Sequence, residues 1–314
     1  MSLLMKRIML LLAVVVMYVS MYAIDKRAEK FVGKYDVAYE AKNLLENSPE
    51  EFWRVAIDNN KRFAKFEKAI KKDGGAQKEA KEKWQELPRL YPQYDESIVE
   101  SKQAYCDSLL QAMGISGLRL DCNLYVIDTD AIDLYTMLTD NGFAICLTEG
   151  LLSMKGINND IVMGFVAHEF VHGAYRHYLQ KLFEDAKKSR RDNLVAAMVV
   201  VGTVGAAVAA DALLPEANDN GNIYYFEGDK NITINNPEPT PMKYAFAFSP
   251  DQVLEADLVA FRFLENMGCS GAYLDGLKIL SPVYNAYASS EVVPITKRIN
   301  FITYMEKYPG LGLD

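Results

Sequence analysis

"VAHEFVHGAYRH", residues 166–177, contains all three histidines of a 314-residue chain. His168 and His172 stand four positions apart. On a helix they lie one turn above each other on one face, and their rings can converge on a single metal ion. Glu169, one position on, projects about 100° further round, where it reaches a water on such an ion and not the ion itself. This is the physical content of the HExxH pattern: two ligands and a general base in one turn. The flanking residues Val166, Ala167, Phe170, Val171, Gly173 and Ala174 are apolar, and between Gly164 and Arg176 only Glu169 carries a formal charge. The helix is therefore predicted to be buried. Two buried imidazoles and a buried carboxyl without partners would cost several kcal/mol, and a bound metal removes most of that cost. Histidines that merely hydrogen-bond within a core are the alternative, disfavoured by the ligand spacing around a glutamate.

Imidazole nitrogens with a carboxylate and an open water position point to zinc. Such an ion lowers the pKa of water from ~15.7 to about 7. Glu169 would take the proton while the ion polarises the scissile carbonyl, and peptide hydrolysis is the reaction expected. His177 fails as third ligand on a continuous helix, because five residues beyond His172 is about 140° round the axis. The longer pattern HExxHxxGxxH fails as well, since its Gly and His positions hold Tyr175 and Tyr178. The third ligand is then expected to be a carboxylate on a later helix.

Outward from this motif, "NDIVMGFVAHEFVHGAYRHYLQKLFEDAKKSRR" reads as one long helix with Asn159 or Asp160 as N-cap. "CNLYVID" (122–128) and "GFAICLT" (142–148) read as short strands, and the intervening "TDAIDLYTMLTDN" as helical or turn-like. From Asp25 to about Gly114 the chain has helical spacing, broken near Asp73-Gly74-Gly75 and at Pro88 and Pro92, which predicts two or three helices leading into the main domain. The basic run 61–84 has interspersed glutamates and reads as a solvated helical face. "SPDQVLEADLVAFRFLENMG" opens with a Ser-Pro helix start and runs as an amphipathic helix to Gly268; the remainder looks helical. Residues 215–241, rich in Asn and Pro, predict a polar lid or an inserted hairpin.

Composition bounds the partners. A net charge of −8 argues against nucleic acid. Lys6 and Arg7 precede an uncharged run from Ile8 to Ala23, the layout of a secretory signal or an N-terminal anchor, so the protein is expected to be exported, periplasmic or anchored facing the periplasm. Residues 194–210 are uncharged, and two readings stand: a buried helix or helical hairpin, which their Ala and Gly content favours, and a second membrane span. Cys106, Cys122, Cys146 and Cys269 show no CxxC spacing and suggest neither a zinc knuckle nor a redox pair.

With these residues in view the chain resembles the HtpX-like and CAAX-prenyl-endopeptidase metallopeptidases, in particular their soluble exported bacterial branch, over roughly residues 95–305. "DNGFAICLTEGLL" (140–152) is similar to the family's segment before the metal helix. "HEFVHGAYRH" matches its HExxH followed by Arg-His through Arg176 and His177, and its E-x-x-A-D helix is similar to the segment around Asp257, with Gly268 at the family's interval. The resemblance implies an α+β, mainly α, zincin-like fold with a small antiparallel sheet bordering the cleft. It also implies one zinc ion per chain, and an edge strand that holds an extended polypeptide substrate by backbone pairing. It divides the chain into a signal or anchor (1–23), a helical N-terminal region (24–94) and a metallopeptidase domain (95–314).

Two positions depart from the family pattern. Its third zinc ligand falls at Val253, which cannot bind metal. Three arrangements stay open: a local bulge brings Glu255 inward, Asp257 substitutes from one turn beyond Val253, or the site has two protein ligands only. Glu255 is the preferred candidate. Near the C-terminus, "VVPITKRI" keeps Pro294 and Arg298 of the family's His-Pro…Arg segment but places Val293 at the histidine. Arg298 is then either structural, the favoured role, or a contact to the substrate carbonyl, and His177 and Asp257 are further substrate or supporting residues. The functions expected are a zinc endopeptidase acting on exported or membrane-associated proteins and, as the alternative, a degenerate, weakly zinc-binding member acting as a binding or chaperone-like module.

Overall fold

The HExxH segment lies on a helix buried from Ile161 to Ala174 at every position except Met163, so the elements around it are arranged to cover all its sides. The computed structural model of the chain describes residues 28–36, 48–72, 98–139, 142–181, 183–184, 187–188, 224–227, 230–233, 248–286 and 293–307. The apolar runs 8–23 and 194–210 lie outside the described residues, as do 73–97 and most of 215–241. No helix among the described residues is long and apolar enough to cross a membrane.

The chain opens with α1 (28–35), α2 (Pro49–Asp58) and α3 (Lys61–Lys72), followed by α4 (Gln103–Ala112). Ser48 caps α2 by accepting from the Glu51 amide, and Pro49 sits in the first turn where a missing N–H costs nothing. Strands β1 (Cys122–Ile127), β2 (Leu134–Leu138) and β3 (Phe143–Thr148) form one sheet in the order β1-β3-β2. Then come the single turn α5 (Glu149–Leu152), the metal-motif helix α6 (Asn159–Ala174), and α7 from residue 177. A two-stranded hairpin, β4 (Tyr224–Glu227) and β5 (Lys230–Thr233), lies within the long polar segment. Helices α8 (Pro250–Asn266), α9 (Gly271–Ala286) and α10 (Ile295–Lys307) complete the described chain.

The described residues are thus mainly helical, and the small three-stranded sheet beside the metal-motif helix is mixed and not antiparallel. β1 runs parallel to β3, with Leu124 opposite Ile145, and β2 runs antiparallel to it, with Thr136 opposite Ile145. The residues expected to be helical or turn-like between the two predicted strands contain β2. β3 carries the uninterrupted apolar character of a strand covered on both faces, and each of its residues is buried.

The helix predicted to run on through the basic residues ends at Ala174. Arg176 takes φ 51°, the left-handed region, which costs about 1–2 kcal/mol for a residue with a Cβ. Tertiary contacts on both sides hold it there: Tyr175 donates to the Ala56 carbonyl at 3.0 Å, and the Arg176 guanidinium reaches Glu67 at 3.0 Å. The N-cap of α6 is Asn158, one residue before the expected position, accepting from the Ile161 amide at 3.0 Å. α8 begins as read. Ser249 and Gln252 form a reciprocal capping box ahead of Pro250, and the helix closes at Gly268 with φ 76°.

One apolar core joins these elements. Phe52 and Trp53 of α2 pack in the same cluster as Phe170 of α6 and Phe263 of α8, so the helical N-terminal region shares its core with the segment carrying HExxH. α6 approaches β3 so closely at Gly173 that a Cβ there would lie 2.2 Å from the Phe143 ring. Only glycine permits that spacing.

Asp133, just before β2, supplies a pH-dependent term to stability. Its Oδ1 accepts from the Leu134 amide at 2.8 Å, while Oδ2 is buried with no hydrogen-bond partner among the described residues. Burial pushes the carboxyl up to about 6 against that amide's pull. The native state therefore holds a proton that the unfolded chain, with an ordinary carboxyl near ~3.9, releases earlier. Stability present below the unfolded value is lost as pH rises through about 6. Asp133→Asn is expected to flatten this fall, worth about 2–3 kcal/mol, in melting curves recorded between pH 4 and 7.5; an unchanged slope would rule the assignment out.

Candidate metal centre

On α6 the side chains of His168 and His172 meet as their spacing requires. Their Nε2 atoms stand 3.2 Å apart, and both rings are buried. Each ring's opposite nitrogen has its own support. His168 Nδ1 lies 2.8 Å from Oδ1 of Asp257, and His172 Nδ1 lies 3.0 Å from Nδ1 of His177. Phe248 stacks on the face of the His172 ring with centroids 3.7 Å apart.

Asp257 Oδ1 gathers three donors: the Tyr273 hydroxyl at 2.6 Å, Arg298 Nη2 at 2.7 Å and His168 Nδ1 at 2.8 Å. Arg298 also donates through Nε to Oδ2 at 3.0 Å. Burial alone would raise the Asp257 carboxyl, but the Arg298 guanidinium and His168 outweigh it and hold the group well below the usual carboxylate range. An acceptor of this kind fixes the proton of His168 on Nδ1 and leaves the Nε2 lone pair facing inward. Arg298 thus pairs with Asp257, and Val293, at the position of the resembled family's histidine, is buried.

Glu169 faces the sheet. Thr136 of β2 places its hydroxyl oxygen 2.7 Å from Glu169 Oε2 and 2.9 Å from the Glu169 carbonyl, so its one proton is shared between two acceptors. Burial pushes the Glu169 carboxyl up to about 7, opposed by the Thr136 hydrogen bond and the charge of Arg298. Both neighbouring imidazoles are pushed down by burial: His168 also by Arg298, and His172 well below its ordinary value with its two histidine neighbours contributing. Neutral imidazoles with a carboxyl that titrates near neutrality are the protonation states that metal ligation and general-base work need.

The candidates for the third ligand lie elsewhere. α8 is a continuous helix across Val253, Glu255 and Asp257, so no bulge turns Glu255 inward, and two residues from Val253 leave it about 200° round the axis. Glu255 instead accepts from Arg62 Nη1 at 2.7 Å and Asn60 Nδ2 at 3.3 Å, with His177 Nε2 at 3.6 Å. Asp257 serves the Nδ1 side of His168. Among the described residues, no third His, Cys, Asp or Glu joins the two Nε2 atoms. His177 is not at the Nε2 pair either, but it is close by: the chain reversal at Arg176 swings its ring against the back of His172, which the angle on a continuous helix did not anticipate.

Thr136, Tyr273, Phe248, Asn60 and Arg62 complete the surroundings, and none belongs to a sequence motif. Arg62 lay in the basic run read as a solvated face. Its departure from that role carries no local signal, because its partner Glu255 lies 193 residues away.

The donor chemistry fits a divalent ion at two positions. The two Nε2 atoms face each other across 3.2 Å, with Asp257 behind the His168 ring and His177 behind the His172 ring. With both rings protonated on Nδ1 the two Nε2 lone pairs would face one space and could share a divalent ion, whereas a proton on either Nε2 makes a hydrogen bond between the rings. No family model and no curated protein matches this chain.

Proposed function

We propose that this protein is a zinc-dependent endopeptidase acting on exported or membrane-associated polypeptides. The observation that carries the reading is the facing pair of Nε2 atoms on one helical turn, with the buried Glu169 on the same turn. His168 and His172 would hold the ion, which supplies Lewis acidity and a nucleophile at neutral pH. Glu169 accepts the proton released in the attack and returns it to the leaving amine, with Oε2 oriented by Thr136. Asp257, through His168, keeps one ligand ring in register, and Tyr273 and Arg298 keep Asp257 in place. β2 is an edge strand beside the site, antiparallel to β3, and an extended substrate could add to its outer side. The Tyr178 hydroxyl already donates to the Thr136 carbonyl, which removes that group from such pairing. The apolar run 8–23 supports export or anchoring. The test is zinc content after dialysis against buffered zinc, together with casein cleavage by the purified protein. Failure to take up zinc in one-to-one stoichiometry ends the proposal.

Val253 favours a second reading, a degenerate member that binds zinc weakly and serves as a binding or chaperone-like module. Val253 is half-buried on α8, one turn from Asp257, with no donor atom to offer. Val253→Glu would then supply a third ligand and is expected to tighten zinc by about 10–100-fold, the range by which individual groups around a metal alter affinity. Chelator competition measures it. Tight zinc in the unaltered protein, with no gain in the variant, would dismiss this second reading.

A further inference from the structure

The back of His172 is tied to the N-terminal helices by a chain of side chains. His172 Nδ1 faces His177 Nδ1 at 3.0 Å. On the far side of that ring, His177 Nε2 is buried without a hydrogen-bond partner of ordinary length, and the carboxyl oxygen Oε2 of Glu255 lies 3.6 Å away. The same Oε2 accepts from Arg62 Nη1 at 2.7 Å, and Asn60 donates to Oε1 at 3.3 Å. Arg62 is seated in turn with its guanidinium over the Tyr35 ring, 4.2 Å from the centroid. Members of this chain come from α1, the α2–α3 junction, α3, α8 and the start of α7.

Between two facing Nδ1 atoms one must carry the proton and the other must accept it. If His177 carried it there, its Nε2 would present a lone pair to the Glu255 carboxyl, and His172 would be left with its proton on Nε2, unable to ligate. With the carboxyl behind it, the proton of His177 is favoured on Nε2. His177 Nδ1 then accepts, and His172 becomes the donor through Nδ1 with a free Nε2 lone pair. We propose that Arg62 and Glu255, acting through His177, fix the tautomer and orientation of His172, so that Glu255 is a positioning residue and the N-terminal helices form part of the metal site. This deepens the zinc reading and rests on it for its purpose, although the hydrogen-bond order is a property of the metal-free protein.

The chain has three histidines, so their ring nitrogens can be resolved individually. In the purified, metal-free full chain, long-range proton–nitrogen NMR is expected to place the proton of His172 on Nδ1 and that of His177 on Nε2. In Glu255→Leu both preferences should be lost, and cobalt affinity by chelator competition should fall about 10–100-fold. The Arg62 side chain, 36% exposed, can turn to water in that variant. Should the variant not fold, Glu255→Gln serves: its one carbonyl can face either Arg62 or His177 but not both, and a smaller loss in the same direction follows. Arg62→Gln discriminates further. A positioning role predicts weaker cobalt binding, whereas a Glu255 that ligates the metal would bind it more tightly once the competing guanidinium is gone. A His177 proton on Nδ1 in the unaltered protein, a tightened Arg62→Gln, or equal affinity in all variants would overturn the proposal. The predicted tautomers in a protein that takes up no metal would support this ordering and defeat the zinc reading alone.

Discussion

Glu169→Gln is expected to reduce casein cleavage by about 10²–10⁴-fold, the usual contribution of a positioned general base, while zinc uptake stays as in the unaltered protein. The substitution is isosteric, and an amide oxygen can accept from Thr136 as Oε2 does at 2.7 Å. What disappears is a group able to take a proton near neutral pH. Burial has brought the carboxyl up to about 7, close to the pH at which a base is both unprotonated often enough and basic enough to act. Because Glu169 points to Thr136 and not between the Nε2 atoms, metal content should not change with it. Cleavage rates measured on matched zinc-loaded proteins decide the matter. Equal rates would remove Glu169 from the chemistry, and a parallel loss of zinc would make it a ligand in place of a base.

The largest expected effect on stability is at Trp53. Its ring is buried, stacked on Phe263 with centroids 4.7 Å apart and edge-on to Phe170 at the same distance, and its indole N–H donates to the Met113 carbonyl at 2.9 Å. Trp53→Ala opens a cavity between the N-terminal helices and the two helices that carry the site, and it strips a buried carbonyl of its donor. Such truncations cost about 3–5 kcal/mol, so thermal unfolding should shift by on the order of 10 °C. The shift should appear in one cooperative transition, because α2 and α8 share a core. A separate early transition, or no shift, would mean that α2 folds independently of the HExxH helix.

How far the site could be read in advance depended on how local its causes were. His168, Glu169 and His172 meet because four residues make one helical turn, and the helix start at Ser249-Pro250 needed only a cap and a following glutamine. Those features are set within a few residues of chain. The strand Leu134–Leu138 was missed because its flanking Asp and Thr residues favour turns, and its strand state comes from pairing with β3. The break at Arg176 has no glycine or proline to announce it; contacts with Ala56 and Glu67 hold a left-handed arginine that its own preferences oppose.

The sequence by itself determined the turn that brings His168 and His172 together, the place of Glu169 on that turn and the buried character of the helix, since each depends on helical period and on the cost of burying polar groups. Only the tertiary structure decided what stands behind the two rings. Asp257, Tyr273 and Arg298 behind His168, and His177, Glu255 and Arg62 behind His172, come together from segments up to 193 residues apart. A charge finds its partner through space once the core has set the helices against one another, and no local pattern records which partner that will be.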